Sequence, residues 1–142
     1  MKKLISAALV AMSLVGCASV PKGDPQQDAA AKRFVVAPDK AGVYVYRNET
    51  MGAAIAMDVA MDGSVIGTTG AHTYLYKEVA PGKHSVVSQG EDKVDFDAMP
   101  GTLTFIWQEV KMGMMAAGSK LHIVDAAEGK KGVADSSLAA TK

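Results

Sequence analysis

The sequence predicts an all-β protein: a compact antiparallel β-sandwich of about seven or eight short strands, set behind a signal peptide and a tether. Three observations carry that prediction. From Gly42 onward apolar residues recur with a period of two. Turn signals at Asp62-Gly63, Pro81-Gly82 and Pro100-Gly101 break those runs about every eight to twelve residues. The 142 residues also include 14 glycines and many β-branched side chains. No tandem repeat and no second domain is visible, and the length suits one domain of about 100 residues with short extensions.

Residues 1–16 come first. Lys2 and Lys3 give a positive start, and Leu4 to Val15 is an almost uncharged apolar run. A membrane span needs roughly 20 apolar residues, so this run is expected to be a signal peptide. It closes on Leu14-Val15-Gly16-Cys17, which holds the single cysteine of the chain. These four residues resemble the lipobox of bacterial lipoproteins. The resemblance implies diacylglyceryl alkylation of the Cys17 thiol, cleavage between Gly16 and Cys17, and acylation of the new amino group. One acyl chain anchors marginally, at about 0.8 kcal/mol per buried CH₂, whereas two or three hold stably. Ala18 in place of an Asp implies, by the same resemblance, sorting to the outer membrane, where the periplasmic face is the expected location. A lipidated Cys17 leaves no thiol for a disulfide, a metal or catalysis.

Residues 17–40 read as a lipidated tether. Pro21, Gly23 and Pro25 interrupt regular structure, and Gln26 to Phe34 reads either as a short helix or as a disordered spacer. In the helical reading Asp28 sits near the positive end and Lys32 and Arg33 near the negative end. Pro38 biases Ala37 to an extended conformation.

Residues 41–125 hold the strands. Gly42 to Arg47 puts Val43 and Val45 on one face and Tyr44 and Tyr46 on the other, which predicts a strand covered on both sides. Ile55, Met57, Val59 and Met61 alternate with Ala56, Asp58, Ala60 and Asp62, the pattern of a half-buried strand. Asp62-Gly63 predicts a hairpin returning over Ser64 to Thr68. Thr73 to Val79 is the next strand, and Pro81-Gly82 fits the centre of a type II turn. Lys83 to Gln89 and Lys93 to Ala98 follow. After Pro100-Gly101, Leu103, Phe105 and Trp107 share one face opposite Thr102, Thr104 and Gln108, and Leu121 to Val124 is the last short strand. Residues 126–142 lack a β pattern and are expected to form a short helix or a tail.

At this point the order of segments becomes informative. Gly42-Val-Tyr-Val-Tyr-Arg47, Asp58 to Gly67, Thr73 to His84, a strand ending at Trp107-Gln108 and Leu121-His-Ile-Val-Asp125 resemble the DUF2846 family of small bacterial lipoproteins. The resemblance spans roughly Phe34 to Ala134. Asp62-Gly63 with Pro81-Gly82-Lys83-His84 is also similar to PEGA-type surface β-modules. Both resemblances imply an envelope-facing β-sandwich, and neither supplies catalytic residues. The methionine- and glycine-rich link Met112 to Gly118 departs from the pattern.

Charge argues against nucleic acid as a partner. Basic and acidic residues number 15 each, and loss of Lys2 and Lys3 leaves 13 against 15. The basic residues are scattered, with no aromatic platform between them. The candidate site residues have plain alternatives. His72, His84 and His122 lack zinc-like spacing and are read as surface or turn residues. Asp92, Asp95 and Asp97 lack the spacing of a calcium loop and read as a solvated face. Met112, Met114 and Met115 offer thioethers for Cu(I) but fit packing or a contact loop better. Ser64, Ser85 and Ser88 sit in no nucleophile motif. Tyr44, Tyr74 and Tyr76, with Tyr46 and Trp107, read as sandwich core or as a groove for a ligand.

The expected protein is therefore a lipid-anchored module of the cell envelope that works by contact, with no enzyme activity, cofactor or metal. It would meet the membrane through its lipid and another envelope protein through sheet edges and loops. The alternative is a module that binds envelope glycan or a small ligand on Tyr44, Tyr74 and Tyr76.

Overall fold

The computed structural model describes residues 20–89, 92–113 and 117–142. The signal peptide, the lipidation site at Gly16 and Cys17, and Met114 and Met115 lie outside the described residues. Along the chain come α1 (Pro25–Ala31), β1 (Ala41–Arg47), β2 (Met57–Met61), β3 (Ser64–Thr69), β4 (Thr73–Val79), β5 (Gly82–Ser88), β6 (Lys93–Ala98), β7 (Leu103–Met112), β8 (Ala117–Val124), α2 (Ala126–Ala134) and β9 (Ser137–Leu138). A five-stranded sheet, ordered β8-β7-β1-β4-β9, packs on a four-stranded sheet, ordered β3-β2-β5-β6. The chain is an all-β sandwich. Two ladders, β1 with β7 and β4 with β9, run parallel; every other ladder is antiparallel.

β1 explains the layering. All seven of its residues are buried, as the two-sided apolar pattern requires. Val43 and Val45 face the second sheet, joining Val59, Ile66, Leu75, Val86 and Ile106 in an aliphatic core. Tyr44 and Tyr46 face the other way, into a second core with Tyr74, Phe105, Val133 and Leu138. β7 is likewise two-sided. Phe105 and Trp107 lie on the aromatic side, but Ile106 and Gln108 point into the space between the sheets. Gln108 lies opposite Phe105 and Trp107, as the alternation predicts, and because a strand central in its sheet is covered on both sides this polar residue is buried and must find partners.

Local chemistry sets the turns. Asp62 and Gly63 both have positive φ (50° and 86°), the signature of the type I′ turn that matches strand twist. Thr102 donates its amide to Met99 across the Pro100-Gly101 turn at 3.2 Å, with Gly101 at φ 71°.

Two short helices cover the five-stranded sheet. Asp24 caps α1, its carboxylate accepting the amides of Gln26 and Gln27 at 2.7 and 3.2 Å, with Pro25 in the first turn. Asp125 caps α2 through the Glu128 amide at 2.9 Å. α2 contains Gly129 and Gly132, poor helix formers that are needed for close approach. A Cβ at Gly129 would stand 2.2 Å from Phe105 Cγ, and one at Gly132 2.1 Å from Tyr46 Cε2. The aromatic side chains press directly on the helix backbone.

The segment expected as a tether differs from that reading. From Val20 on it belongs to the folded body. Val20 packs against the aliphatic core, Lys22 bridges Ala139, and the Gly23 amide donates to Leu138 at 2.8 Å. The tail also does more than form a helix: after α2 it adds β9 to the edge beside β4.

Candidate functional site

The tyrosines were the sequence's candidates for a ligand platform, and the structure corrects two of them. Tyr44 and Tyr74 are fully buried, so neither ring offers a face to a ligand. Tyr44 stacks on Phe105 with centroids 4.9 Å apart and donates its hydroxyl to the Ala31 carbonyl at 2.6 Å. Tyr74 donates to the Asp28 carboxylate at 2.6 Å. Both hydroxyls thus tie the sheet to α1. Burial raises the pKa of both, as it does for Tyr46, which is pushed up to about 12 with help from Glu128 and Asp125. Burial also works to raise Asp28, but the Tyr74 hydroxyl and the Lys32 ammonium outweigh it and hold the carboxyl below its usual range. Tyr76 is half-buried and lines a groove of about 430 Å³ with Gln27, Val35 and Glu78. The physical reason is coverage: tyrosines on the outer face of an open sheet are exposed, and here two helices and Phe34 lie over them.

The two turn signals that stand out in the sequence meet in space. His84, at the start of β5, lies against the Asp62-Gly63 turn. Its Nδ1 is 2.6 Å from Asp62 Oδ2 and its Nε2 2.6 Å from the Ala80 carbonyl. A carboxylate and a carbonyl only accept hydrogen bonds, so the protonated ring, with a donor at each nitrogen, is the form that satisfies both contacts. Asp62 first, and then the Ala80 carbonyl, raise the pKa of His84; the same contact lowers that of Asp62. The other carboxylate oxygen of Asp62 accepts the Ser85 amide at 2.9 Å. A shallow cleft of about 530 Å³ opens beside this pair, lined by Lys83, Asp95, Phe96 and Asp97. Asp95 and Asp97 are exposed, as the solvated-face reading expects. His84 is held as a structural latch, with neither nitrogen free to act as a base.

A buried polar chain crosses the end of the aliphatic core, and sequence reasoning did not find it. Gln108 accepts from Thr69 Oγ1 at 2.5 Å and donates to Ser88 Oγ at 2.6 Å, and Ser119 joins Ser88 at 2.5 Å. Beside it Arg47 is fully buried. Its guanidinium donates to the carbonyls of Ile55 and Gly52, each at 2.7 Å, and of Thr69 at 3.3 Å. Burial lowers the Arg47 pKa, opposed by Glu49. Only the unusual choice of Arg and Gln inside two-sided strands hints at this in the sequence.

The remaining candidates lie apart. His72 is within 2.9 Å of Thr50 Oγ1. His122 stacks on Trp107 at 4.9 Å and contacts Glu109 at 2.7 Å; Lys111 first and then His122 hold Glu109 below the usual carboxylate range. Asp92 accepts the Leu121 amide and meets Lys120 at 3.4 Å, joining the neighbouring edges β6 and β8. Ser64 is exposed, Ser85 half-buried, and Ser88 is taken up in the polar chain. Met112 is 61 % exposed at the end of β7. Among the described residues no three His, Cys, Asp or Glu side chains gather as a metal site, and no helix is long and apolar enough to cross a membrane.

The sequence has relatives. The profile of the family described as "Protein of unknown function (DUF2846)" matches residues 37–120, and the chain belongs to that family. An uncharacterized protein of Haemophilus influenzae is 30 % identical over 135 residues, covering 92 % of this chain and 80 % of that protein. No solved structure matches.

Proposed function

We propose that the protein is a lipid-anchored lipoprotein of the bacterial cell envelope, held in the outer membrane and facing the periplasm, whose sandwich acts by contacting another envelope protein rather than by catalysis. The observation that carries this reading is the lipobox-like Leu14-Val15-Gly16-Cys17, which ends three residues before Val20, the first described residue. The way the polar side chains are used supports the rest. His84, Ser88, Gln108 and Arg47 are each engaged in holding strands and loops. The bare outer side of the four-stranded sheet is the surface offered to a partner. The test is metabolic labelling with palmitate, followed by cross-linking in intact cells with Cys17→Ser as the unanchored control. A labelled wild type that captures one reproducible envelope protein supports the reading. An unlabelled product that washes from membranes refutes the anchor, and a labelled product with no captured partner refutes the contact role.

A further inference from the structure

Val20, the first described residue, is close in sequence to the proposed anchor. From Cys17 to Val20 the chain spans three residues, which reach about 10 Å at full extension. Val20 is packed against the aliphatic core, and the segment after it is fixed by the Lys22–Ala139 bridge and the Ala140 amide donating to Pro21 at 2.9 Å. A lipid on Cys17 therefore holds one side of the body within about 10 Å of the bilayer.

The surface at that place is unusual. Val20 and Lys22 share a cleft of about 380 Å³ with Ala53, Ala71 and His72, and among the described residues none lining it bears a carboxylate. Ala53 belongs to the loop from β1 to β2, whose crest Met51-Gly-Ala-Ala-Ile-Ala56 is uncharged. Met51 is 57 % exposed, and Ala54 and Ala56 are exposed. The crest is held in shape from beneath: the buried Arg47 binds the carbonyls of Gly52 and Ile55, and the Ile55 amide donates to Gly52 at 2.8 Å. Glu49, the acid of this loop, is turned away to accept the Val110 amide at 2.7 Å. A buried cation is expensive, and here the Gly52, Ile55 and Thr69 carbonyls offset that cost by accepting from the Arg47 guanidinium, which fixes the loop beneath the exposed Met51, Ala54 and Ala56.

We propose that the Met51–Ala56 crest is a membrane-contacting face that lies on the lipid headgroups beneath the protein's own anchor and sets how the sandwich is oriented on the bilayer. The inference rests on the lipoprotein reading above, since the anchor supplies the proximity. Shallow burial of Met51, Ala54 and Ala56 at the headgroup boundary removes apolar surface from water, and Lys22, which shares the cleft with Ala53, suits anionic headgroups.

The test uses the full lipidated chain in phosphatidylethanolamine–phosphatidylglycerol vesicles. With Cys17 capped, a new cysteine is a unique labelling site. An environment-sensitive fluorophore is placed at Ala54→Cys and, as a control on the bare sheet, at Asp95→Cys. The expected result is quenching of the Ala54 probe by nitroxide lipids about threefold stronger than that of the Asp95 probe, and loss of that difference in a Met51→Asp background. Equal quenching at both positions overturns the proposal while leaving the anchor intact. A probe at Ala54 that is unquenched in vesicles but shielded from aqueous quencher in cells overturns it in favour of a protein partner. Failure of the chain to float with the vesicles refutes the anchor, and the orientation claim falls with it.

Discussion

On one side of the sandwich the five-stranded sheet carries α1 and α2; on the other, the four-stranded sheet meets solvent with Asp58, Lys83, Asp95 and Asp97. Both sheets share the same aliphatic interior, so the difference lies in what the outer residues of each strand were chosen to do. β1 and β4 place tyrosines outward and β7 places Phe105 and Trp107, and these rings need a roof. β2, β5 and β6 place acids, lysines and serines outward, and these need water. The comparison teaches that this domain is three layers: the helices complete a second core, and residues that look like a tether and a tail are structural.

Substitutions break or sharpen that contrast. Phe105→Ala removes the ring that Tyr44 stacks on and Gly129 touches, and a loss of about 3–5 kcal/mol is expected in denaturant unfolding. Gly132→Ala tests the close approach of the roof. Helix propensity alone would favour alanine by about 1 kcal/mol, but the Cβ would collide with Tyr46, so a net destabilisation of about 1–3 kcal/mol is expected. A stabilised variant would show that α2 is loosely seated.

Tyr74→Phe deletes the hydrogen bond to Asp28 and should cost about 1–2 kcal/mol. Since the Asp28 pKa is held below 3.8, the contribution it makes is present above that value and lost as pH falls through the depressed one; the variant should flatten that acid limb of the stability profile.

On the bare side the His84–Asp62 latch gives a smaller, two-limbed effect. His84 is raised above 6.5, so its contribution is complete below 6.5 and lost as pH rises through the raised value. Asp62 is lowered below 3.8, so its contribution is complete above 3.8 and lost as pH falls through the lowered value. Thermal unfolding across pH should show the latch intact between those limits, and His84→Gln should remove both limbs at a cost of about 1 kcal/mol. Last, Asp97→Asn on the exposed face should change stability by less than about 0.5 kcal/mol; a larger loss would mean that the bare sheet carries structure unseen from its exposure.

Much of the fold was legible because strand alternation and turn chemistry are local. Thr73–Val79 and Lys93–Ala98 match the expected strands at both ends, Asp62-Gly63 forms its hairpin turn, and β1 is covered on both sides. The helix over Gln26 was legible only as one of two options, because seven residues of α1 gain their stability from Tyr44 and Tyr74 rather than from propensity. α2 was harder still, since two glycines argue against a helix until Phe105 and Tyr46 are seen beneath them. The candidate site divides in the same way. The Asp62-Gly63 and Pro81-to-His84 signals were visible, yet their joining across 22 residues was not. Arg and Gln inside two-sided strands are a hint, but the partners of Gln108 and Arg47 were not legible, because nothing local says which distant segment each will meet.

The sequence by itself determined most of the strands, the turns and the alternation that makes a sandwich, all properties set by neighbours within a few residues. Tertiary structure alone decided the parallel pairing of β1 with β7, the roof over the tyrosines, the burial of Arg47 and the nearness of Val20 to the Met51–Ala56 crest. Those depend on contacts between segments far apart in the chain, where loop closure and packing choose the partner and local patterning has no voice.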